Sequence, residues 1–379
     1  MQDMLFPVGR QVVGADLVGR EPAMSDLGRR LMAGEHVVLA GPRRIGKTSV
    51  ALATLDRLAA QGLLTANVDC MRIGSMSELA QAVGQAVLAN VARTERAVAD
   101  VAAWLRGATA SIEWRSAFGP DAELALSLTL PDKVAHLEPH ERLEHSLEGI
   151  ERLAARKDRR FVFMFDEFQE LGRIDRTLLG RMRAVMVRQS HVSYLFLGSQ
   201  RSTIEALFVR GKEPFYRFAV PWLLPPVPSE LWRAYMATRL SDRGYTPQPA
   251  ALDDLLTRTG AHPMDTMMLA GEAALSADTL GTLVIGLDVV ALATDRVMAS
   301  LERAFEETWR QLDVASQHVL RRLCREEGPY RRPAPNHQSI HAAIAKLLDA
   351  GILSRGAARG RYQFVEPLFA AHVRMHYLT

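Results

Sequence analysis

His36-Val-Val-Leu-Ala-Gly-Pro-Arg-Arg-Ile-Gly-Lys-Thr48 runs from a short apolar segment into a loop that carries a glycine, four residues, a second glycine, then lysine and threonine. The apolar segment reads as a strand, and apolar residues recur at helical spacing over residues 47–60, so the order is strand, loop, helix. This is the context a P-loop requires. Glycines let the backbone bend so that successive N–H groups point at phosphate oxygens, and the helix N-terminus adds positive potential. Lys47 is expected to reach the β- and γ-phosphates and Thr48 to ligate Mg²⁺. Gly41, Pro42, Arg43, Arg44, Ile45, Gly46, Lys47, Thr48 and Ser49 are therefore the expected phosphate-binding residues for ATP or ADP.

Phe161-Val-Phe-Met-Phe165 is continuously apolar and ends in Asp166-Glu167, while residues 192–197 form a similar run ending in Gly198-Ser199. Such runs suit strands buried on both faces of a parallel sheet. A further strand is expected over residues 66–69, with helices over residues 77–105 and 138–155, and this alternation implies an α/β core. Carboxylates that close a strand emerge at the nucleotide edge of an open sheet. Asp166 is expected to hold Mg²⁺ through water, and Glu167 to orient or deprotonate the attacking water. Ser199 and Gln200 would lie near the γ-phosphate if their strand neighbours the one that carries Asp166. Arg201 and Arg217 are candidates for an arginine that stabilises the transition state.

Residues 111–130 interrupt this pattern: Glu123-Leu-Ala-Leu-Ser-Leu-Thr-Leu130 alternates with period two, which reads as a β-hairpin insertion. Pro221, Pro225, Pro226 and Pro228 then break the chain, as domain boundaries commonly do. Beyond them helical spacing over residues 229–242, 250–259, 263–277 and 288–307 reads as a small helical lid. Helices over residues 314–325 and 339–350 precede two short strands joined by Arg355-Gly-Ala-Ala-Arg-Gly360, the order of a winged helix. Pro329, Pro333 and Pro335 disfavour the middle helix that such a domain usually has.

From Arg321 onward ten Lys and Arg stand against four Asp and Glu, whereas the whole chain is close to neutral at +3. A basic winged helix favours duplex DNA phosphates, and winged helices also dock proteins. A competing arrangement packs residues 339–350 on the core as an autoinhibitory lid.

Composition narrows the class further. A chain of 379 residues with 48% hydrophobic and 23% charged residues is not a wholly disordered one. Two cysteines, Cys70 and Cys324, supply neither a disulfide framework nor a four-cysteine zinc site. The start, MQDMLFPVGR, lacks the basic and apolar regions of a signal peptide. The most apolar stretch, residues 280–293, contains Asp288 and two glycines and falls short of the ~20 residues a membrane helix needs. A cytoplasmic protein without a membrane partner is expected.

These pieces together resemble a known family. Val18-Gly-Arg-Glu21, the Gly41 to Ser49 loop, Asp166-Glu-Phe-Gln169, Phe196-Leu-Gly-Ser199, Pro214-Phe-Tyr-Arg217 and Gly260-Ala-His-Pro263 follow one another in the order seen in archaeal-type ATPases, on the STAND and replication-initiator side of the AAA+ superfamily. The resemblance runs from Val18 to the C-terminus. It implies an AAA+/STAND-like α/β P-loop NTPase core with a parallel sheet, a helical lid and a winged-helix domain. It further implies that Val18, Gly19 and Arg20 lie against the adenine, that Arg217 is a finger arginine, and that His262 and Pro263 in the lid contact the nucleotide.

The expected division is residues 1–222 for the core, with its N-terminal adenine-contacting segment and hairpin insertion, 223–307 for the lid and 308–379 for the winged helix. The expected function is a Mg²⁺-dependent ATPase switch with Lys47, Glu167, Ser199 and Arg217 in catalytic roles. It would couple nucleotide state to assembly as a homo-oligomer, and to double-stranded DNA or a protein partner. Two alternatives stay open: a weakly hydrolysing scaffold or adaptor in signalling or defence, and a replication-initiator or helper-like ATPase on DNA.

Overall fold

The structure is a computed structural model and describes residues 5–91, 111–113, 127–129, 138–175, 177–198, 204, 207–209, 211–329, 337–356 and 360–378. In chain order, α1 (Glu21–Met32) precedes β1 (Val37–Ala40), and α2 (Lys47–Ala60), β2 (Leu64–Asp69) and α3 (Met76–Val91) follow. β3 (Ser111–Glu113) pairs antiparallel with β4 (Ser127–Thr129); the rest of the expected hairpin insertion lies outside the described residues. Then come α4 (Pro139–Arg156), β5 (Phe161–Asp166), α5 (Leu178–Met186), β6 (Val192–Leu197) and β7 (Val220–Leu223).

Five of these strands form one sheet in the order β2, β5, β6, β1, β7, parallel throughout. The continuous apolar runs are explained by burial on both faces. Phe161, Phe163 and Phe165 point into a core with Val83, Leu147 and Ile150, while Val162 and Met164 point to the opposite core with Leu27, Val50 and Leu55. The sheet with its flanking helices is the P-loop NTPase fold. β6 lies between β1 and β5, so the loop after β1, Gly198 after β6 and Asp166 on β5 share one edge.

Aromatic packing holds that edge. Phe168 lies 4.6 Å from Phe196 and meets Phe215 edge to face at 5.1 Å, so the chain leaving β5 is pinned beside the end of β6. The proline-rich stretch starts inside the sheet rather than after it: Pro221 belongs to edge strand β7, where an absent N–H leaves no neighbour unpaired.

The rest of the chain is α6 (Ser229–Ser241), β8 (Thr246–Pro247), α7 (Pro249–Thr259), α8 (Pro263–Leu280), β9 (Val284–Ile285), α9 (Leu287–Arg310), α10 (Val314–Cys324), α11 (His337–Asp349), β10 (Leu353–Arg355), β11 (Tyr362–Phe364) and α12 (Pro367–Tyr377). Proline at the first turn starts α7, α8 and α12, where its missing N–H costs nothing. Asp313 caps α10 by accepting from Ser316 N at 2.8 Å.

These helices share one core, from Trp232 and Val290 through Phe305 and Trp309 to Leu347 and Phe369. Phe6 and Val18 join it, so the N-terminal segment is fastened to the helical part, with Phe6 edge-on to Tyr235 at 5.9 Å. Among the described residues no helix stands between α10 and α11. α11 does not take up the position of a lid on the sheet; it packs against α10 and β10, and Lys346 ion-pairs with Asp313.

Trp309 stacks on Tyr377 at 4.2 Å and ties α9 to α12. Trp309→Ala is expected to cost about 3–5 kcal/mol, as truncation of a buried tryptophan does, and to loosen α9 and α12 together. Urea unfolding with amide exchange read on both helices checks this.

Candidate nucleotide site

The loop between β1 and α2 is built on a reversal at Gly46, whose φ of 90° is open to glycine and strained for other residues. Lys47 follows at the first helical position and is only 8% exposed. Its Nζ donates to the carbonyls of Gly41 at 3.0 Å and Pro42 at 2.7 Å. Burial lowers the Lys47 pKa to about 8; the nearby Glu167 and Asp166 carboxylates oppose that fall and Arg43 adds to it.

Thr48 and Asp166 meet across the sheet edge. Thr48 Oγ1 donates to Asp166 Oδ2 at 2.7 Å, and Asp166 Oδ1 accepts from Glu167 N at 2.9 Å. Burial raises the Asp166 pKa, and the neighbouring charges of Glu167 and Asp69 raise it further against those two hydrogen bonds. A carboxylate so crowded by negative charge gains from a cation. A hydroxyl and a carboxylate side by side are the oxygen donors that Mg²⁺ takes when phosphates and water fill its other positions, so these residues fit the metal.

Glu167 has a positive φ of 50°, and its Oε2 accepts from Gln169 Nε2 at 2.5 Å.

A cavity of about 380 Å³ opens beside the loop. Arg44, Ile45, Gly46, Thr48 and Ser49 form its floor, Val18 and Arg20 one side, Trp232, Pro263, Met264 and Met267 another, and residues 7–12 its roof. Val12 N donates to Ser49 Oγ at 3.2 Å and so anchors the roof to α2. A largely apolar cavity with polar groups at its edge suits a flat heterocyclic base.

Three expected nucleotide contacts are refined by the geometry. Arg20, 4% exposed, donates to Ile45 O at 2.7 Å and to Pro225 O, so it braces the loop against the segment entering α6 while lining the cavity. Burial lowers its pKa to about 10. Gly19 is not part of the lining and packs against Leu231 and Val227. His262 grips the loop backbone: its Nε2 lies 3.1 Å from Arg43 O, a carbonyl that only accepts, and its Nδ1 lies 3.6 Å from Asp265 Oδ1. Burial alone would lower the His262 pKa, but Asp265, the Arg43 carbonyl and Glu366 outweigh it and the net direction is upward. Pro263, next in sequence, does line the cavity.

Arg217 is not brought to the loop. It is exposed, with a φ of 55°, and its guanidinium lies 5.2 Å from the centre of the Tyr216 ring; among the described residues it makes no hydrogen bond or ion pair with the loop or the acidic pair. Ser199, Gln200 and Arg201 lie outside the described residues.

Sequence reading missed the roof at residues 7–12, Trp232, and the link from Arg44 Nη1 to Glu366 Oε1 at 3.2 Å. None of these carries a local pattern. Met264 and Met267 do, being three apart directly after His262-Pro263 on a helix start.

Residues 16–197 match the family described as the AAA ATPase domain. No protein of curated function matches the sequence. Among solved structures the chain is similar to a Walker-type ATPase of Pyrococcus abyssi, at 15% identity over 98% of this chain and 100% of that one, with a TM-score of 0.66. It is also similar to the ORC2 protein of Aeropyrum pernix in its ADPNP–ADP complexes, at 14% identity over 93% of this chain and 91% of that one, with a TM-score of 0.53. At these identities the likeness is one of fold, and it extends past the matched domain across the helical and C-terminal elements.

The buried lysine makes nucleotide binding pH-dependent. Lys47 is cationic below its pKa of about 8, and above it phosphate binding must take up a proton. ADP affinity, measured calorimetrically without Mg²⁺, is expected to be level near pH 7 and to fall towards tenfold per unit above pH 8. A profile level to pH 9 would show that Lys47 does not meet the phosphates.

Proposed function

We propose that this chain is an ATP-binding and ATP-hydrolysing switch of the AAA+/STAND-like kind, which couples nucleotide state to assembly and to a DNA or protein partner through residues 308–379, read as a winged helix. The observation that carries the reading is the meeting of Lys47, Thr48, Asp166 and Glu167 at one sheet edge, beside an apolar cavity of about 380 Å³.

On this reading the base enters the cavity and the phosphates meet the head of α2. Lys47 exchanges the carbonyls of Gly41 and Pro42 for phosphate oxygens. Thr48 and Asp166 would hold Mg²⁺, which when bound supplies neutralising charge to the β- and γ-phosphates. Glu167 orients the attacking water and accepts its proton. Ser199 is assigned to the γ-phosphate side, and the exposed Arg217 to a neighbouring subunit's site in a homo-oligomer. The setting is the cytoplasm, where ATP is abundant.

Coupling has a physical route in the two contacts that reach the loop from the helical part, His262 to Arg43 O and Glu366 to Arg44.

For the partner, much of the C-terminal basic excess has internal uses. Arg321 donates to Tyr377 O at 2.9 Å, Arg325 to Leu378 O at 2.9 Å, and Arg322 pairs with Glu327 at 3.3 Å. Arg355 and Arg361, both exposed at the turn end of the β10–β11 hairpin, are among the described groups available to phosphates. Duplex DNA is the reading they support; a protein partner is the second.

Lys47→Ala is expected to abolish nucleotide binding, whereas Glu167→Gln keeps binding and loses about 10²–10⁴-fold in turnover. Fluorescent-nucleotide titration beside phosphate release separates the two effects. Equal ATPase rates in wild type and Glu167→Gln would remove Glu167 from the role of base.

For DNA, the Arg355→Ala/Arg361→Ala double variant is expected to lower the slope of log K against log salt by about 2, one per lost phosphate contact, whatever the duplex sequence. An unchanged slope favours a protein partner.

A further inference from the structure

Asp166-Glu-Phe-Gln169 contributes two acids to the site and an aromatic ring to the core, which leaves Gln169 unexplained. Gln169 lies on the 3-10 turn Phe168–Arg173, directly beyond Glu167, and is 6% exposed. Its two polar atoms are treated differently. Nε2 donates to Glu167 Oε2 at 2.5 Å, whereas Oε1 is buried with no hydrogen-bond partner among the described residues.

The same Oε1 lies against Gly198, the residue that follows β6: a Cβ built there would overlap it and come 2.9 Å from Ile204 Cβ. The amide thus occupies space that only a glycine leaves open, between the end of β6 and the carboxylate after β5.

A buried carbonyl oxygen without a donor destabilises the fold, so folding alone does not account for an amide here. An unbranched apolar side chain of the same length would fill the space without that cost. What an apolar chain cannot do is donate to Glu167.

We propose that Gln169 is a positioning residue for Glu167. Its Nε2 holds the carboxylate in one orientation at the end of β5 before nucleotide arrives, and the missing side chain at Gly198 is the space this requires. The inference rests on the reading of Glu167 as the group that receives the proton of the attacking water. A base held ready in this way loses nothing to reorientation when the reaction starts.

The test uses the full chain and four readouts: melting temperature, ADP affinity, KM for ATP and kcat. Gln169→Met is expected to melt at or above the wild-type temperature, to keep ADP affinity and KM within twofold, and to lose at least tenfold in kcat. That opposition of stability and turnover is what a core residue would not produce. Gly198→Ala, which displaces the amide, is expected to lower kcat as well. In a Glu167→Gln background, single-turnover rates are expected to show no further loss from Gln169→Met, because the amide acts only through the carboxylate.

A kcat for Gln169→Met within twofold of wild type, with Glu167→Gln inactive, overturns the inference and leaves the ATPase reading standing. A Glu167→Gln protein as active as wild type overturns the assignment of the base, and the inference with it. Should Gln169→Met fail to fold, Gln169→Leu removes the donor and keeps an apolar side chain in the same space; an unchanged kcat there overturns the inference equally.

Discussion

An ammonium group sunk into the head of a helix is costly unless carbonyls, carboxylates or phosphates surround it, and Lys47 is such a group. Two loop carbonyls hold its Nζ, and Asp166 and Glu167 offset part of the burial. The surrounding structure supplies those partners. Gly46 reverses the chain so that the lysine heads α2, and β6 and β5 bring the two acids to the same edge. The aromatic packing of Phe168 with Phe196 and Phe215 keeps the end of β5 where the lysine and Thr48 need it.

The helical part is bound to this site unevenly, and the magnitudes say which contact matters. The Arg44 to Glu366 pair is half exposed on the arginine side, so it is worth at most about 1 kcal/mol and is readily exchanged for a phosphate. His262 is buried and its Nε2 lies 3.1 Å from Arg43 O, so this contact is shielded from water where the Arg44 pair is not. The lid turn is therefore the firm attachment to the loop and the start of α12 the adjustable one. A switch of the proposed kind would use one of each: a fixed element to hold the nucleotide, and a weak one whose balance the nucleotide can change.

Among the described residues six other than glycine have φ in the left-handed region that such residues seldom enter: Arg44, Asp158, Glu167, Arg217, Ala261 and Glu326. Arg44 and Glu167 lie at the sheet edge with Lys47, and Ala261 directly precedes His262, which reaches the loop. Such conformations persist where neighbouring structure over-determines them, and they concentrate at sites that chemistry shapes.

The sequence by itself determined the local units. His36 to Thr48 specified strand, loop and helix because a glycine reversal before a helical lysine has few other readings, and the all-apolar runs before Asp166 and Gly198 specified strands buried on both faces. Helical spacing located most of the helices beyond Ser229, while the stretch that holds Pro333 and Pro335 lies outside the described residues. α1, α5 and α12 went unread, although Ala23, Met24, Leu27 and Leu31 give α1 a clear buried face, and β7 went unread because Pro221 argues against a strand unless the strand is known to be an edge. Only the tertiary structure decided that β6 separates β1 from β5, that residues 7–12 roof the cavity, that Arg20 braces the loop, that Gln169 reaches Glu167 under Gly198, and that Glu366 meets Arg44. Local pattern records which face of a residue is apolar and how the chain turns. Contacts between positions hundreds of residues apart depend on how whole elements pack, and a short polar side chain carries no mark of the partner that packing will bring to it.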